Sequence, residues 1–513
     1  MTEKIVVTNA TALKRKYGKA YADVRAAVTR WIAADNARGV STRLVAVDAA
    51  AAMKRYHGKP VTDAAHPRQN KEAIDAVFGT ARPDYLVILG AVDVIPHQDL
   101  TNPLYSSDDP DRYSLGDLPY ACESPYSRRI NDFIGPTRVI GRLPDLTGAT
   151  KPDYLIKLID TAARWQRLAR EKYERPLAIT AGVWEGSTRL TLRNLFRTST
   201  SVRISPPRGP KWRTADVARL THLINCHGAQ VSPEFYGQQG NSYPVSHQAS
   251  HIAGKITRGT VVAVECCYGA ELYDPNLLPN SQAGIANVYL LGGAYGYFGS
   301  TTIAYGDVDT NSAADLLCQY FLAGVLNGAS LGRAALEAQQ RFARLGTTLD
   351  PVDLKTLAQF VLLGDPSIHP VQASTNGAPM KKAAGVFSLQ GDDLRHDRRV
   401  SLLRKGLSIP QTQGTAVRAK KATSSKVMAQ LRQEARKRSL TPADVLSFGV
   451  EQPVVQAIAA RKSLRKATLD APASYHVLFS RKARAKAVQA PVVLLVAKEV
   501  DGEIVSLREL HRR

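Results

Sequence analysis

The chain has 513 residues, enough for about three domains of ordinary size. Hydrophobic residues make up 44% and charged residues 22%, a composition that excludes a disordered or fibrous protein. The charge is unusual, because 68 Lys and Arg against 45 Asp and Glu give a formal net charge of +23, which suggests nucleic acid, an acidic protein or a membrane surface as a partner.

Apolar runs alternate with amphipathic segments as far as residue 370. This alternation predicts a mainly parallel sheet flanked by helices. We predict strands at residues 85–89, 138–141, 177–180, 221–225, 260–264 and 288–291, and helices at residues 22–34, 152–170, 214–220 and 312–326. The uncharged stretch 285–305 is interpreted as two buried strands around a glycine-rich bend rather than a membrane span.

The composition changes after a linker-like stretch at residues 373–379. Residues 376–513 hold 27 Lys and Arg against 11 Asp and Glu, a balance of +16, whereas the first 375 residues have a balance of only +7. The basic patches are at residues 420–421, 436–438, 461–462, 465–466 and 481–486. Near the end, 492–497 and 504–507 flank Asp501-Gly502 and predict a β-hairpin.

Cysteine usage and the first residues indicate the cellular compartment. Five cysteines are an odd number, too few for a disulfide framework. The first residues lack the apolar core and cleavage site of a secretory signal. We therefore expect a reducing, cytoplasmic location and no membrane span.

Two predicted strands end in residues that can carry chemistry. The run 221–225 is followed by Cys226, His227 and Gly228, and the run 260–264 by Glu265, Cys266 and Cys267. The 40 residues that separate His227 from Cys267 allow a return to the neighbouring strand, so both side chains would emerge at the same sheet edge. An imidazole within reach can take the proton of a thiol, and a glycine N–H can bind an oxyanion.

Other interpretations of these residues remain open. A cysteine in an apolar strand is often a buried hydrophobe, and a histidine is often a hydrogen-bonded structural residue. Cys226, His227, Cys266 and Cys267 could also supply nitrogen and sulfur ligands to zinc. Adjacent residues on a strand point to opposite faces, so all four can hardly converge on one metal ion.

The sequence around this pair resembles the caspase-like cysteine peptidases. These share a His-Gly after one strand and, after the next, a cysteine preceded by a small and often an acidic residue, as in Glu265-Cys266-Cys267. Within this group the chain is most similar to the catalytic domain of gingipain-type peptidases. The similarity extends, in order, through residues 84–96, 116–121, 139–144, 293–302 and 362–368, so that it covers roughly residues 80–370.

The resemblance implies a caspase/gingipain-like α/β fold with two subdomains, at residues 1–145 and 146–372, followed by a basic α+β domain at residues 373–513. It implies a cysteine endopeptidase that works through an acyl-enzyme. Cys267 would be the nucleophile and His227 the general acid/base, with the N–H groups of Gly228 and Cys267 as the oxyanion hole. Cys266 is a rival nucleophile, because a Cys-x-x-Gly alignment on Gly269 selects it.

Further roles follow only from the resemblance. Asp117 would orient the histidine, and Asp132, Ser300 and Thr301 would line the primary specificity pocket. An acid at that place would favour cleavage after a basic residue. A structural Ca²⁺ is also implied by family likeness, although the sequence lacks a loop of the Asp-x-Asp-x-Asp-Gly type.

Two functions account for the whole chain. The first is a regulated intracellular endopeptidase whose basic region recruits an activator, a protein substrate or nucleic acid, as in bacterial defence systems that contain caspase-like proteases. The alternative is a catalytically inactive scaffold that binds nucleic acid or an acidic protein through the same region. The region has few aromatic residues, so base stacking is not strongly indicated.

Overall fold

The computed structural model describes residues 2–345, 348–372, 414–419, 423–451, 473–482 and 492–513. The predicted linker at 373–379 and the basic patches at 420–421, 461–462, 465–466 and 484–486 lie outside the described residues.

The strands are numbered in chain order: β1 (Thr2–Thr8), β2 (Val40–Ala46), β3 (Tyr85–Leu89), β4 (Gln98–Thr101), β5 (Tyr113–Gly116), β6 (Ile140–Leu143), β7 (Leu168–Ala169), β8 (Leu177–Ala181), β9 (Val202–Ser205), β10 (Thr221–Asn225), β11 (His227–Gly228), β12 (Glu234–Tyr236), β13 (Val245–Gln248), β14 (Val261–Val264), β15 (Gly296–Ser300), β16 (Tyr305–Gly306), β17 (Thr348–Leu349), β18 (Phe360–Gly364), β19 (Val371–Gln372), β20 (Gly414–Arg418), β21 (Leu440–Glu451), β22 (Ala473–Lys482), β23 (Val492–Val500) and β24 (Glu503–Arg512).

The α-helices are numbered in the same way: α1 (Ala10–Tyr17), α2 (Tyr21–Ala37), α3 (Ala50–Arg55), α4 (Pro67–Ala81), α5 (Asp153–Ala163), α6 (Glu185–Phe196), α7 (Thr214–Val217), α8 (Ala249–Ile252), α9 (Ile285–Leu291), α10 (Ala313–Leu326), α11 (Leu331–Phe342), α12 (Pro351–Gln359) and α13 (Ser425–Lys437).

A ten-stranded sheet forms the centre of the fold, in the order β2-β1-β3-β6-β18-β15-β14-β10-β8-β9. Every neighbouring pair is parallel except β15 and β18. Its central strands are buried along their whole length, including the polar residues of β10, as is typical of parallel strands covered by helices on both faces. The predicted fold class, a mainly parallel α/β sheet flanked by helices, is confirmed.

The register of β10 against β14 fixes the geometry of the sheet edge. These parallel neighbours pair Thr221 with Val261 and Ile224 with Val264. Each partner is therefore 40 residues from the other, the same separation as His227 and Cys267. The expectation that both residues follow adjacent parallel strands at one edge is confirmed.

The interpretation of residues 285–305 is half wrong. The first part is helix α9, and only the second part, β15, is a strand. A short apolar run has no period that separates a buried helix from a buried strand, and α9 is buried on most of its length. Within the described ranges, none of the helices combines the length and apolar character that crossing a membrane requires.

A second sheet of seven strands has the order β16-β24-β23-β22-β21-β20-β17. Its two edge strands, β16 and β17, belong to the part of the chain that carries the ten-stranded sheet. The predicted hairpin is confirmed as β23 and β24, joined through Asp501 and Gly502, whose positive φ angles of 52° and 81° suit a tight turn. Helix α13 packs on this sheet through Val427 and Leu431. The three domain boundaries stay predictions.

We predict that Arg142→Met destabilises the fold. The buried Arg142 guanidinium donates to Asp117 at 2.6 and 2.9 Å and to the carbonyl oxygens of Gly90 and Ile95 at 3.0 and 2.7 Å. Its loss would leave the Asp117 carboxylate buried without its main cation, which costs about 3–5 kcal/mol. Urea unfolding would measure this cost, with Arg43→Met as the control because Arg43 is half-exposed. Equal urea midpoints for Arg142→Met and Arg43→Met would contradict the predicted loss of stability.

Candidate active site

His227 stands at the edge of the sheet, where the backbone leaves β10. Its Nε2 is 2.7 Å from Oε1 of Gln238, and its ring lies against the indole of Trp184, with centroids 4.3 Å apart. The ring of Tyr243 meets it edge-on at 5.0 Å. The His227 ring therefore packs against two aromatic rings, and its hydrogen-bond partner, the Gln238 side chain, carries no charge.

Cys267 and Cys266 lie on opposite faces of the sheet. The side chain of Cys267 belongs to the apolar cluster on one face and that of Cys266 to the cluster on the other. Sγ of Cys267 is 3.3 Å from the backbone nitrogen of Ala304 and contacts the main-chain oxygen of Arg513. Sγ of Cys266 instead accepts from the backbone N–H of Cys226 at 3.4 Å.

Gly228 brings the histidine loop against the cysteine loop. A Cβ built on Gly228 would lie 1.8 Å from the carbonyl oxygen of Cys267, closer than two atoms can approach. Glycine is therefore the residue that permits this contact between the two predicted oxyanion donors.

Burial drives both members of the pair towards their uncharged forms. Desolvation lowers the pKa of His227 to about 4, against the opposing effect of its hydrogen bond to Gln238. Desolvation also raises the pKa of the Cys267 thiol, although the nearby Arg512 charge lowers it. In this state the pair is a thiol and a neutral imidazole rather than a thiolate and an imidazolium.

An arginine side chain fills a closed pocket next to Cys267. The guanidinium of Arg513 donates to Oδ1 of Asp315 at 2.5 Å and to the carbonyl oxygen of Asp307 at 2.8 Å. The guanidinium carbon of Arg513 lies 4.4 Å from the centroid of the Trp184 ring. A Cβ on Gly306 would lie 2.1 Å from a guanidinium nitrogen, so a side chain there would obstruct the pocket.

A second acid lies beside this pocket. Glu265 is fully buried, and burial together with the charge of Asp315 raises its pKa well above the usual value. The charge of Arg513 acts in the opposite direction. Burial and the nearby Asp315 carboxyl favour the protonated form of Glu265, and Asp315 is the acid that contacts the guanidinium.

The other predicted site residues have different partners. Asp117 is bonded to His97 and Arg142, and the salt bridge with Arg142 helps to hold its carboxyl pKa well below the usual range despite burial. Asp132 lies 4.0 Å from Arg129 and is partly exposed.

Ser300 and Thr301 are buried at the end of β15. The Ser300 hydroxyl donates to the carbonyl oxygen of Thr302 at 2.8 Å, and the Thr301 hydroxyl donates to that of Leu115. Both hydroxyls donate to backbone carbonyl oxygens, whereas the Arg513 guanidinium contacts Trp184, Asp307 and Asp315. The roles assigned to these side chains stay predictions.

The sequence did not identify three residues that contribute to this site: Trp184, Gln238 and Asp315. Only Asp315 had a recognisable signal, as the sole charged residue of the otherwise apolar α10, where it is completely buried. A buried acid needs a partner, so this position could have been singled out. Trp184 ends a short 3-10 turn after β8 and Gln238 lies in the loop after β12, and neither position has a local sequence pattern that marks it.

No group of three or more His, Cys, Asp or Glu side chains that could hold a metal ion occurs in the described ranges. The Ca²⁺ site implied by family likeness stays a prediction.

Comparison with known proteins supports one part of the chain. Residues 235–371, which include Cys267 but not His227, match peptidase family C25. The resemblance to gingipain-type peptidases is thereby confirmed, and the predicted enzyme class, cysteine-type endopeptidase, agrees with the family matched. No curated protein matches the sequence at a significant level.

Two similar solved structures are of the Saccharomyces cerevisiae separase–securin complex. They share 14% identity with this chain and have TM-scores of 0.29 and 0.30. The matches cover 46% and 55% of this chain but only 14% and 16% of the other chain. At such low TM-scores the likeness is too weak to bear on function.

We predict that Glu271→Gln removes a pH dependence of stability. Oε2 of Glu271 accepts from the backbone N–H of Val231 at 2.7 Å, which joins the loop after Cys267 to the loop after His227. Burial raises the pKa of Glu271 from 4.5 to about 7. A raised carboxyl pKa stabilises the fold fully below the unfolded value, and this stability is lost as pH rises through the folded value.

The melting temperature of the unaltered chain should therefore fall relative to Glu271→Gln between pH 4.5 and pH 7. Thermal unfolding over this range would measure it. Melting curves that stay parallel at every pH would contradict the assignment.

Proposed function

We propose that the protein is a cysteine endopeptidase that cleaves peptide bonds after arginine, with Cys267 as nucleophile and His227 as general acid/base. One observation carries this proposal: Arg513 has its main-chain oxygen against Sγ of Cys267 while its guanidinium pairs with Asp315. A substrate arginine before the scissile bond needs both contacts at once. The match to family C25 supports the same chemistry.

In the first step, Sγ of Cys267 attacks the carbonyl carbon of the substrate arginine. A carbon–sulfur bond forms, His227 takes the thiol proton and passes it to the leaving amine, and the carbon–nitrogen bond breaks. Water then attacks the thioester, with His227 taking a proton from the water and returning one to the sulfur. The products are the released amine, the free thiol and a carboxylic acid, which ionises by giving its proton to the solvent.

The uncharged resting pair fits this sequence. A neutral imidazole is a base, and a thiol proton has to be transferred before or during the attack. Gln238 would hold the imidazole in place without adding a negative charge. We assign the oxyanion contacts to the N–H groups of Gly228 and Cys267, whose backbones approach each other where the two loops meet.

The pocket favours arginine over lysine. In Arg513 both hydrogen bonds, to Asp315 and to the Asp307 carbonyl, leave one guanidinium nitrogen, Nη2, and the planar group lies over the Trp184 ring with its carbon 4.4 Å from the ring centroid. A lysine ammonium is a compact charge on a shorter stem and cannot stack in this way. The buried carboxylate also requires a cation, so an uncharged side chain would leave it unpaired.

Regulation, a cytoplasmic location and binding of nucleic acid or an activating protein stay predictions. So does the role in bacterial defence.

We predict that Cys267→Ala abolishes peptidase activity while Cys266→Ala retains it. Loss of the nucleophile should lower kcat by at least ~10³-fold, whereas Cys266 is buried on the other face of the sheet. Hydrolysis of a fluorogenic peptide ending in arginine would measure both variants. The assay should be run in the unaltered and in the Arg513→Gln chain, because Arg513 occupies the pocket. The reverse order of the two variants would make Cys266 the nucleophile, and identical rates for all chains would favour the inactive scaffold.

We predict that Asp315→Asn weakens cleavage after arginine. Removal of the carboxylate leaves the substrate guanidinium buried without its counter-charge, which should lower kcat/KM by about 100-fold in the Arg513→Gln chain. Asp132→Asn is the matched control, because its charge lies beside Arg129 at the surface and its loss should leave kcat/KM unchanged. A loss of activity in Asp132→Asn but not in Asp315→Asn would place the specificity acid at the position expected from the resemblance.

A further inference from the structure

The residues at 511–513 run through the candidate active site as an added strand. Tyr305 and Gly306 of β16 pair antiparallel with Arg512 and His511, and the N–H of Arg513 donates to the carbonyl oxygen of Ala304 at 3.0 Å. Extended peptides commonly bind proteins by adding a strand in this way. The backbone of the segment therefore occupies the place that a substrate backbone would take.

The segment covers the reactive sulfur. Cys267 is completely buried, and its Sγ contacts the Arg513 main chain. His511 and Arg512 also line a cavity of about 170 Å³ together with His227 and Trp184. This cavity lies on the His227 side of the segment.

Ion pairs away from the sulfur hold the segment in position. Arg508 of β24 pairs with Asp350 and, at 3.1 Å, with Asp353. Arg481 of β22 pairs with Asp108 at 2.6 Å. In each pair the cation belongs to the second sheet and the acid to the part of the chain that carries Cys267. Their loss would loosen the sheet without altering the groups at the sulfur.

We infer that the segment 511–513 is an internal competitive inhibitor, which keeps the site closed until a substrate or partner displaces it. This inference rests on the proposed function of the same site. A tethered ligand competes at a high effective concentration. If only a fraction of the molecules is open at any time, the apparent KM rises by the inverse of that fraction while kcat stays the same.

The test compares the full-length chain with Arg513→Gln, which removes the charge that anchors the segment. Alkylation of Cys267 by iodoacetamide, followed by peptide mass spectrometry, measures whether the sulfur is covered and does not require turnover. We expect slow labelling in the unaltered chain and labelling about tenfold or more faster in the variant. The other four cysteines are buried and should label slowly in both chains.

Hydrolysis of an arginine-ending fluorogenic peptide gives the second measurement. Arg513→Gln should lower KM about tenfold or more with little change in kcat. A synthetic peptide of residues 506–513 should inhibit this variant competitively, and the same peptide with alanine in place of Arg513 should not.

Arg508→Ala keeps the test valid if Arg513→Gln fails to fold. This variant loses the ion pairs of Arg508 with Asp350 and Asp353. It should increase both the rate of Cys267 labelling and the rate of peptide hydrolysis, as Arg513→Gln does. Lys426→Ala is its control, because Lys426 of α13 pairs with Glu503 of β24 and both side chains are exposed. It should leave labelling and activity as they are in the unaltered chain.

Equal labelling of Cys267 in all chains, together with equal KM values, would overturn the inhibitor assignment and leave the peptidase proposal standing. Faster labelling in the variants without any peptide hydrolysis would instead support the covering of the sulfur by the segment and contradict the peptidase proposal.

Discussion

The parallel pairing of β10 with β14 is the constraint on which the site depends. Its fixed register puts the residues after each strand at the same edge, so the His227 and Cys267 loops meet there. The contact is so close that Gly228 has no room for a Cβ. Because successive strand residues point to opposite faces, the same pairing also puts Cys266 and Cys267 into separate apolar clusters.

Charge links the two sheets. A guanidinium that is removed from water needs a buried acid as its partner. Arg513 has such a partner in Asp315, and both side chains are fully buried. Arg481 with Asp108, and Arg508 with Asp350 and Asp353, likewise pair a cation of the second sheet with an acid of the part of the chain that carries Cys267. Part of the basic excess after residue 376 therefore complements acids within the same chain rather than facing an external partner.

The sequence predicted the parallel sheet, the terminal hairpin and the neighbouring strand ends, because each leaves a local pattern or a measurable spacing. It could not distinguish helix α9 from a strand, since a run of seven mostly apolar residues fits either. The pocket residues Trp184 and Asp315 come from distant parts of the chain, and only the completed sheet brings them to Cys267. The insertion of residues 511–513 could not be predicted, because it depends on how the second sheet pairs with β16.

The central claim is that Cys267 attacks the carbonyl carbon of an arginine whose guanidinium is held by Asp315. A crystal structure of the Arg513→Gln chain treated with a peptide aldehyde ending in arginine tests it most directly. The account predicts a covalent bond from Sγ of Cys267 to the aldehyde carbon, with the guanidinium against Asp315 and Trp184. A bond to Cys266, or a guanidinium bound at Asp132, would contradict it.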